Sequence, residues 1–139
     1  MSTESNKQAV RKMFECQDKG DLAGERALHA LDFVAYMAGN DRAMSEEEFQ
    51  GMEQMFFTSF ANGRHIIDTQ VAEGDLVMSY GSWSALHVKD FNGIPASHKP
   101  VKIEAVTINR FVDGKIVEHR ALVDIMTLMM QIGAVPQAA

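Results

Sequence analysis

"VKIEAVTINRFVDGKIVEHRALVDIM", residues 101 to 126, is the stretch whose reading decides the fold. Asp113-Gly114 is a two-residue turn signal of type I′, and the residues on both sides alternate as half-buried strands do. With Val112 opposite Lys115, counting outward sets Arg110 against Val117, Ile108 against His119, Thr107 against Arg120, Ala105 against Leu122 and Ile103 against Asp124. Alternation then places Glu118, Arg120, Leu122 and Asp124 on one face with Asn109, Thr107, Ala105 and Ile103. His119, Ala121 and Val123 share the other face with Ile108 and Val106. A single bulge would exchange the two sets.

Working outward, "HIIDTQVAEGDLVMSYGSWSALHV" (65–88) holds two β-rich runs joined at Gly74-Asp75, a second hairpin. The loop "DFNGIPASHKP" (90–100) links the hairpins. Toward the N-terminus the period changes from two to three-and-four. Ser5 and Gln8 have capping-box spacing before Val10, Met13 and Phe14, and Gly20 is placed to stop that helix. Asp21 can cap a short helix through about Ala30, and "DFVAYMAG" (32–39) reads as a brief strand. Ser45 and Glu48 form another capping box, ahead of Phe49, Met52, Met55, Phe56 and Phe60 on one helical face. "DIMTLMMQIGA" (124–134) is a short apolar helix closed by Gly133. Helices first and an antiparallel meander afterwards predict an α+β domain: a cone-shaped curved antiparallel sheet packed against N-terminal helices, with a short C-terminal helix. No linker or repeat divides residues 1–139, so one domain is expected.

The composition sets limits. At 139 residues, 46% apolar, the chain is large enough to bury a core with a hollow in it. The net charge of -6, with no basic run longer than a pair, argues against nucleic acid. No apolar run approaches a membrane span and the start has no apolar signal core, so no membrane partner and a cytoplasmic location are expected. Cys16 is alone, which excludes an internal disulfide, and reads as a packing residue. The five histidines lack zinc-site spacing, and neither a phosphate loop nor a dinucleotide fingerprint is present. Neither metal nor cofactor is indicated.

Asp124 stands out chemically. On the counted register it lies among Leu122, Ala105 and Ile103, where lost hydration would raise its pKa and make it a better base. It is equally placed to N-cap the last helix through the amides of Met126 or Thr127; both readings stay open. Trp83 has the parity of His87, as a pocket wall or a core aromatic. Tyr36 could donate to an oxyanion or sit half exposed on its strand. Met37, Met55, Phe56 and Met78 suit the lining of an apolar pocket or plain core.

Residues 91–136, "FNGIPASHKPVKIEAVTINRFVDGKIVEHRALVDIMTLMMQIGAVP", resemble the C-terminal half of the SnoaL-like polyketide cyclases. That family's pattern runs roughly H-x-G-x-F-x-G-I-P-P-T-G, a strand, D-G-K-I-V-E-H-W-x-x-x-D, and a helix ending in Q-L-G. "DKGDL" and "ALDFVAYMAG" agree more loosely. The resemblance implies a ketosteroid-isomerase-like cone that pairs as a homodimer. It also implies an intramolecular aldol closure on a polyketide ester without metal or Schiff base. The family's aspartate falls on Asp124 and its motif histidine on His87, which would orient the substrate or polarise a carbonyl. The chain departs from the pattern at Arg120, where the family has Trp, at Gly81-Ser82, which replace a basic residue, and at Ala96-Ser97-His98. Arg120 could reach an anionic substrate or pair with Glu118.

The expectation is therefore a cofactor-independent enzyme acting on a small apolar carbonyl or polyketide-like compound by acid/base proton transfer. Asp124 and His87 would be catalytic, and Trp83, Tyr36, Arg120, Met37, Met55 and Phe56 would bind substrate. The alternatives are a non-catalytic ligand-binding or dimerisation module of the same fold, and an epoxide hydrolase, which needs an Asp-Arg-Asp cluster that Asp124 and Arg120 supply only in part. For a homodimer, His119, Ile108, Val106 and Ala121 are the expected interface residues.

Overall fold

The computed structural model describes residues 2–136. Three helices and a strand precede the meander: α1 (Thr3–Lys19), α2 (Leu22–Arg26), β1 (His29–Met37) and α3 (Glu46–Ser59). Then come β2 (Phe60–Glu73), β3 (Leu76–His87), β4 (Pro100–Val112), β5 (Lys115–Val123) and the closing α4 (Ile125–Gln131). Helix α3 starts at the Ser45–Glu48 capping box, and Gly20, at φ 70°, ends α1 in the left-handed region. Helix α1 begins earlier than its sequence suggests: Ser2 caps it, with Ser5 as the reciprocal partner, so the Ser5–Gln8 pair lies inside the helix.

The sheet has the order β1-β5-β4-β3-β2. Strands β2 to β5 form the expected antiparallel meander, but β1 joins β5 in parallel, so the sheet is mixed and open. Asp113 and Gly114 both take positive φ, as a type I′ turn requires.

The last hairpin decides what faces inward. Val112 pairs with Lys115 and Phe111 with Ile116, but Arg110 then pairs with Glu118, leaving Val117 as an extra residue on β5. From that bulge onward Asn109 faces His119, Thr107 faces Ala121 and Ala105 faces Val123. The sets counted from the turn are thereby exchanged: His119 and Ala121 are buried on the concave side, while Leu122 stands exposed on the convex side. Two apolar clusters cover the concave face. One gathers Val10, Met13, Phe33, Phe49, Val77 and Ile116 under α1 and α3. The other gathers Phe60, Phe91, Val101, Ile103, Leu128 and Ile132 toward α4.

Candidate active site

Between these clusters lies a cavity of about 470 Å³, whose lining draws on both of them. Its volume is that of an ordinary small-molecule site. The walls are chiefly aromatic and thioether: Phe49, Met52, Met55, Phe56, Phe60 and Trp83 among others. Helix α3 supplies one wall because its apolar residues recur at three and four; β4 and β5 supply the other through alternate residues, together with residues 79–83 of β3 and Gly63, His65, Ile66 and Ile67 of β2.

Of the residues singled out in the sequence, Trp83, Met37, Met55 and Phe56 line this cavity. Five others do not: Met78 is exposed on the convex face, neither lining nor core, and the register explains two of the remaining four. Arg120 and Tyr36 face the convex side, where the guanidinium sits 4.1 Å from the tyrosine ring centroid and pairs with Glu118 at 2.5 Å. Asp124 is exposed and caps α4: its Oδ1 accepts from the Thr127 amide at 3.1 Å and its Oδ2 from the Thr127 hydroxyl at 2.6 Å. Those bonds hold its carboxyl below the ordinary value, the reverse of what desolvation would do. His87 is fully buried but faces away from the cavity lining. Its Nδ1 accepts from the Ser97 amide at 3.0 Å and its ring stacks on Phe60, so it ties down the loop between β3 and β4.

The structure instead brings Asp18 and His65 together at the cavity wall. Asp18, near the end of α1, accepts from the His65 backbone amide at 3.0 Å through Oδ2 and meets the imidazole Nδ1 at 2.6 Å through Oδ1. Phe14, one turn earlier on α1, stacks on the imidazole at 4.7 Å. A carboxylate on Nδ1 fixes the tautomer: the hydrogen sits on Nδ1, and Nε2 carries the free lone pair.

Further polar residues contribute to the lining, among them Ser79, Ser82, Asn92 and Thr107 and three whose bonding bears on the chemistry, His119, Gln17 and Glu53. His119 bonds through Nδ1 to Asn109 Oδ1 at 2.8 Å and packs at 5.2 Å from Phe49. Burial, with His29 and His65 nearby, holds its imidazole down at about 3, so it is neutral throughout the ordinary pH range. Gln17 donates to Glu25 Oε2 at 2.6 Å. Glu25 in turn bonds to Glu53, and burial pushes Glu53 up to about 10, with Glu25 raised in the same direction. No protein donor reaches either Glu53 oxygen, so two carboxyls in contact there need a proton, which the pair shares. Both oxygens are sealed from solvent, which leaves only the stem of Glu53 toward the cavity. This acid pair ties α3 to α2 rather than serving a ligand.

With the fold and site in place, kinship can be stated. The SnoaL-like polyketide cyclase family matches residues 7–132. The chain belongs to that family. Its fold agrees with that of AclR, a proposed hydroxylase from Streptomyces galilaeus, at a TM-score of 0.92 and 25% identity over 99% of this chain and 87% of AclR. It also agrees with IdmH, a proposed polyketide cyclase from Streptomyces antibioticus, at a TM-score of 0.82 and 26% identity over 92% of this chain and 98% of IdmH. A SnoaL-like protein from Jannaschia sp. CCS1 shares the fold at a TM-score of 0.86 and 22% identity, over 96% and 95% of the two chains. Among curated proteins none matches in sequence. No helix among the described residues is long and apolar enough to cross a membrane, and no cluster of three metal-ligating side chains occurs among them.

Family membership supports a cyclase- or isomerase-type role. The position aligned with the family's aspartate is nevertheless a helix cap here, and the Asp18–His65 pair was not visible in the sequence. The one signal that could have found part of it is the parity of His65 on an alternating strand. Asp18, 47 residues earlier, carries no periodic relation to that strand.

Proposed function

We propose that the chain is an acid/base enzyme of the SnoaL-like family, acting on a small apolar carbonyl compound of polyketide type bound in the cavity. His65 is the base and Asp18 its positioning residue. His65 Nε2 takes a proton from the carbon next to a carbonyl, and the electron pair moves to the carbonyl oxygen as an enolate. The enolate carbon then attacks a second carbonyl of the same molecule, a carbon–carbon bond forms, and the new alkoxide recovers the proton from the imidazolium. The reaction is an isomerisation by atom count and uses only groups this chain supplies.

One observation carries this reading: an imidazole whose Nδ1 is held by a carboxylate at 2.6 Å stands in the wall of a chiefly apolar hollow. A positioned base contributes about 10²–10⁴-fold in rate. His65→Gln should lower turnover of β-diketone or β-keto ester substrates by that order, with the circular dichroism spectrum unchanged. Undiminished turnover in a folded His65→Gln protein would remove the assignment.

The capping role of Asp124 favours a second reading, a ligand-binding module that has kept the hollow and lost the chemistry. It predicts binding without conversion across the same carbonyl panel.

We also propose that two copies pair through the convex face of the sheet. Leu76, Met78, Tyr80 and Leu122 are all exposed there, with Val106 and Ile108 between them. Of the interface set expected from sequence, the bulge keeps Val106 and Ile108 and withdraws His119 and Ala121 to the interior. Light scattering on the eluting protein should give twice the chain mass of 15.4 kDa; a monomer at micromolar concentration would refute the pairing.

A further inference from the structure

The cavity holds a second imidazole, whose Nδ1 is held by an amide oxygen where the first is held by a carboxylate. Asn109 is directly opposite His119 in the β4–β5 register and is itself fully buried, so its side chain has no freedom to leave the ring. Its Oδ1 takes the Nδ1 hydrogen of His119 at 2.8 Å. The Nε2 atoms of His29 and His87 are sealed in the protein without a partner, but His119 Nε2 is not among the sealed atoms, and no protein donor reaches it. Since His119 as a residue is only 4% exposed and lines the cavity, the opening at Nε2 is onto the cavity.

We propose that His119 Nε2 is a fixed hydrogen-bond acceptor in the cavity wall, selecting uncharged guests that present a hydroxyl there: a phenol, an enol or an alcohol. A neutral imidazole with Nδ1–H committed elsewhere has only a lone pair to offer at Nε2, so a guest with a carbonyl or ether there leaves it unmet. Asp18 brings a carboxylate to the lining, and no lysine or arginine stands there, which disfavours an anionic guest. Phe14, Phe49, Phe56, Phe60, Trp83 and Phe91 supply faces and edges for a flat ring. The proposal rests on the cavity being the substrate site, as in the proposed function, but does not need His65 to move a proton.

The test is calorimetric titration of the full chain with 1-naphthol and with 1-methoxynaphthalene, in which a methyl group takes the place of the hydroxyl hydrogen. The naphthol should bind more tightly by about 5- to 10-fold, the size of one hydrogen bond to a buried acceptor. His119→Phe should bring the two affinities together. The preference should persist from pH 5 to 8, because burial keeps this ring neutral there, whereas an acceptor of ordinary pKa would be lost on acidification. Should His119→Phe fail to fold, the ¹⁵N resonance of His119 Nε2 in the unaltered protein gives the answer: it should move with naphthol and stay with the ether. Equal affinities, a preference that survives in folded His119→Phe, or an unmoved resonance each overturn the proposal while leaving the His65 reading intact. Failure of both probes to bind overturns both readings.

Discussion

The Glu25–Glu53 pair gives a sharp consequence for stability. Burial and the neighbouring carboxyl raise Glu53 to about 10 from an ordinary 4.5, so the folded chain keeps a proton that the unfolded chain releases. The stabilisation is complete below the ordinary carboxyl range and is lost as pH rises toward the folded value. Between pH 6 and 8 the folded state therefore holds one more proton than the unfolded state. Linkage then makes unfolding free energy fall by about 1.4 kcal/mol for each pH unit, a ceiling of about 3 kcal/mol over that window. Against a total of about 5–15 kcal/mol, such a change is readily measured. Glu53→Gln replaces the shared proton with an amide hydrogen that donates to Glu25 in the same way but does not titrate. Urea unfolding of both proteins at pH 6, 7 and 8 should show the variant's stability declining less steeply by about one proton, and the variant the more stable of the two at pH 8. Parallel profiles would mean that the pair holds no proton, and the account of α3 pinned through a protonated acid would fail.

Gly81→Ala tests the close approach of β2 and β3: a Cβ there would lie 1.9 Å from the Ile66 carbonyl oxygen, so the strands must part. A cost of about 1–3 kcal/mol, as for other overpacked sites, should appear in thermal unfolding, and an unchanged midpoint would contradict the geometry. Asp124→Asn keeps a good capping residue and should leave both melting temperature and turnover near those of the parent protein. Asp124→Ala should lower the melting temperature while sparing turnover; a large loss of turnover in a folded Asp124 variant would return the catalytic role to that residue.

Much of the architecture was legible because it follows from local chemistry. The Ser45–Glu48 box, Gly20, and the Asp113-Gly114 turn each dictate backbone geometry within a few residues, and the structure places all three as expected. The site was less legible because parity is carried along a strand from its turn, and one extra residue reverses it. Val117 is that residue, and the sole trace it leaves in sequence is two successive buried aliphatics, Ile116 and Val117, where alternation calls for one. The reversal moved Asp124 and Arg120 away from the interior and brought His119 in. Long-range meetings were not legible at all: β1 beside β5 in parallel, and Asp18 against His65, arise from how helices and sheet pack, which no local pattern encodes.

The central claim is that His65, oriented by Asp18, trades a proton with a guest in the cavity. Deuterium wash-in from heavy water into the C4 position of 2,2-dimethylcyclohexane-1,3-dione, a diketone that stays uncharged at neutral pH, followed by proton NMR, measures that step without requiring the true substrate. The account predicts exchange faster than the buffer rate with the parent protein, a loss of about 10²-fold or more with His65→Gln, and a clear reduction with Asp18→Asn. Exchange that proceeds equally in all three proteins, or only at the buffer rate with the parent while the diketone is bound, would contradict it.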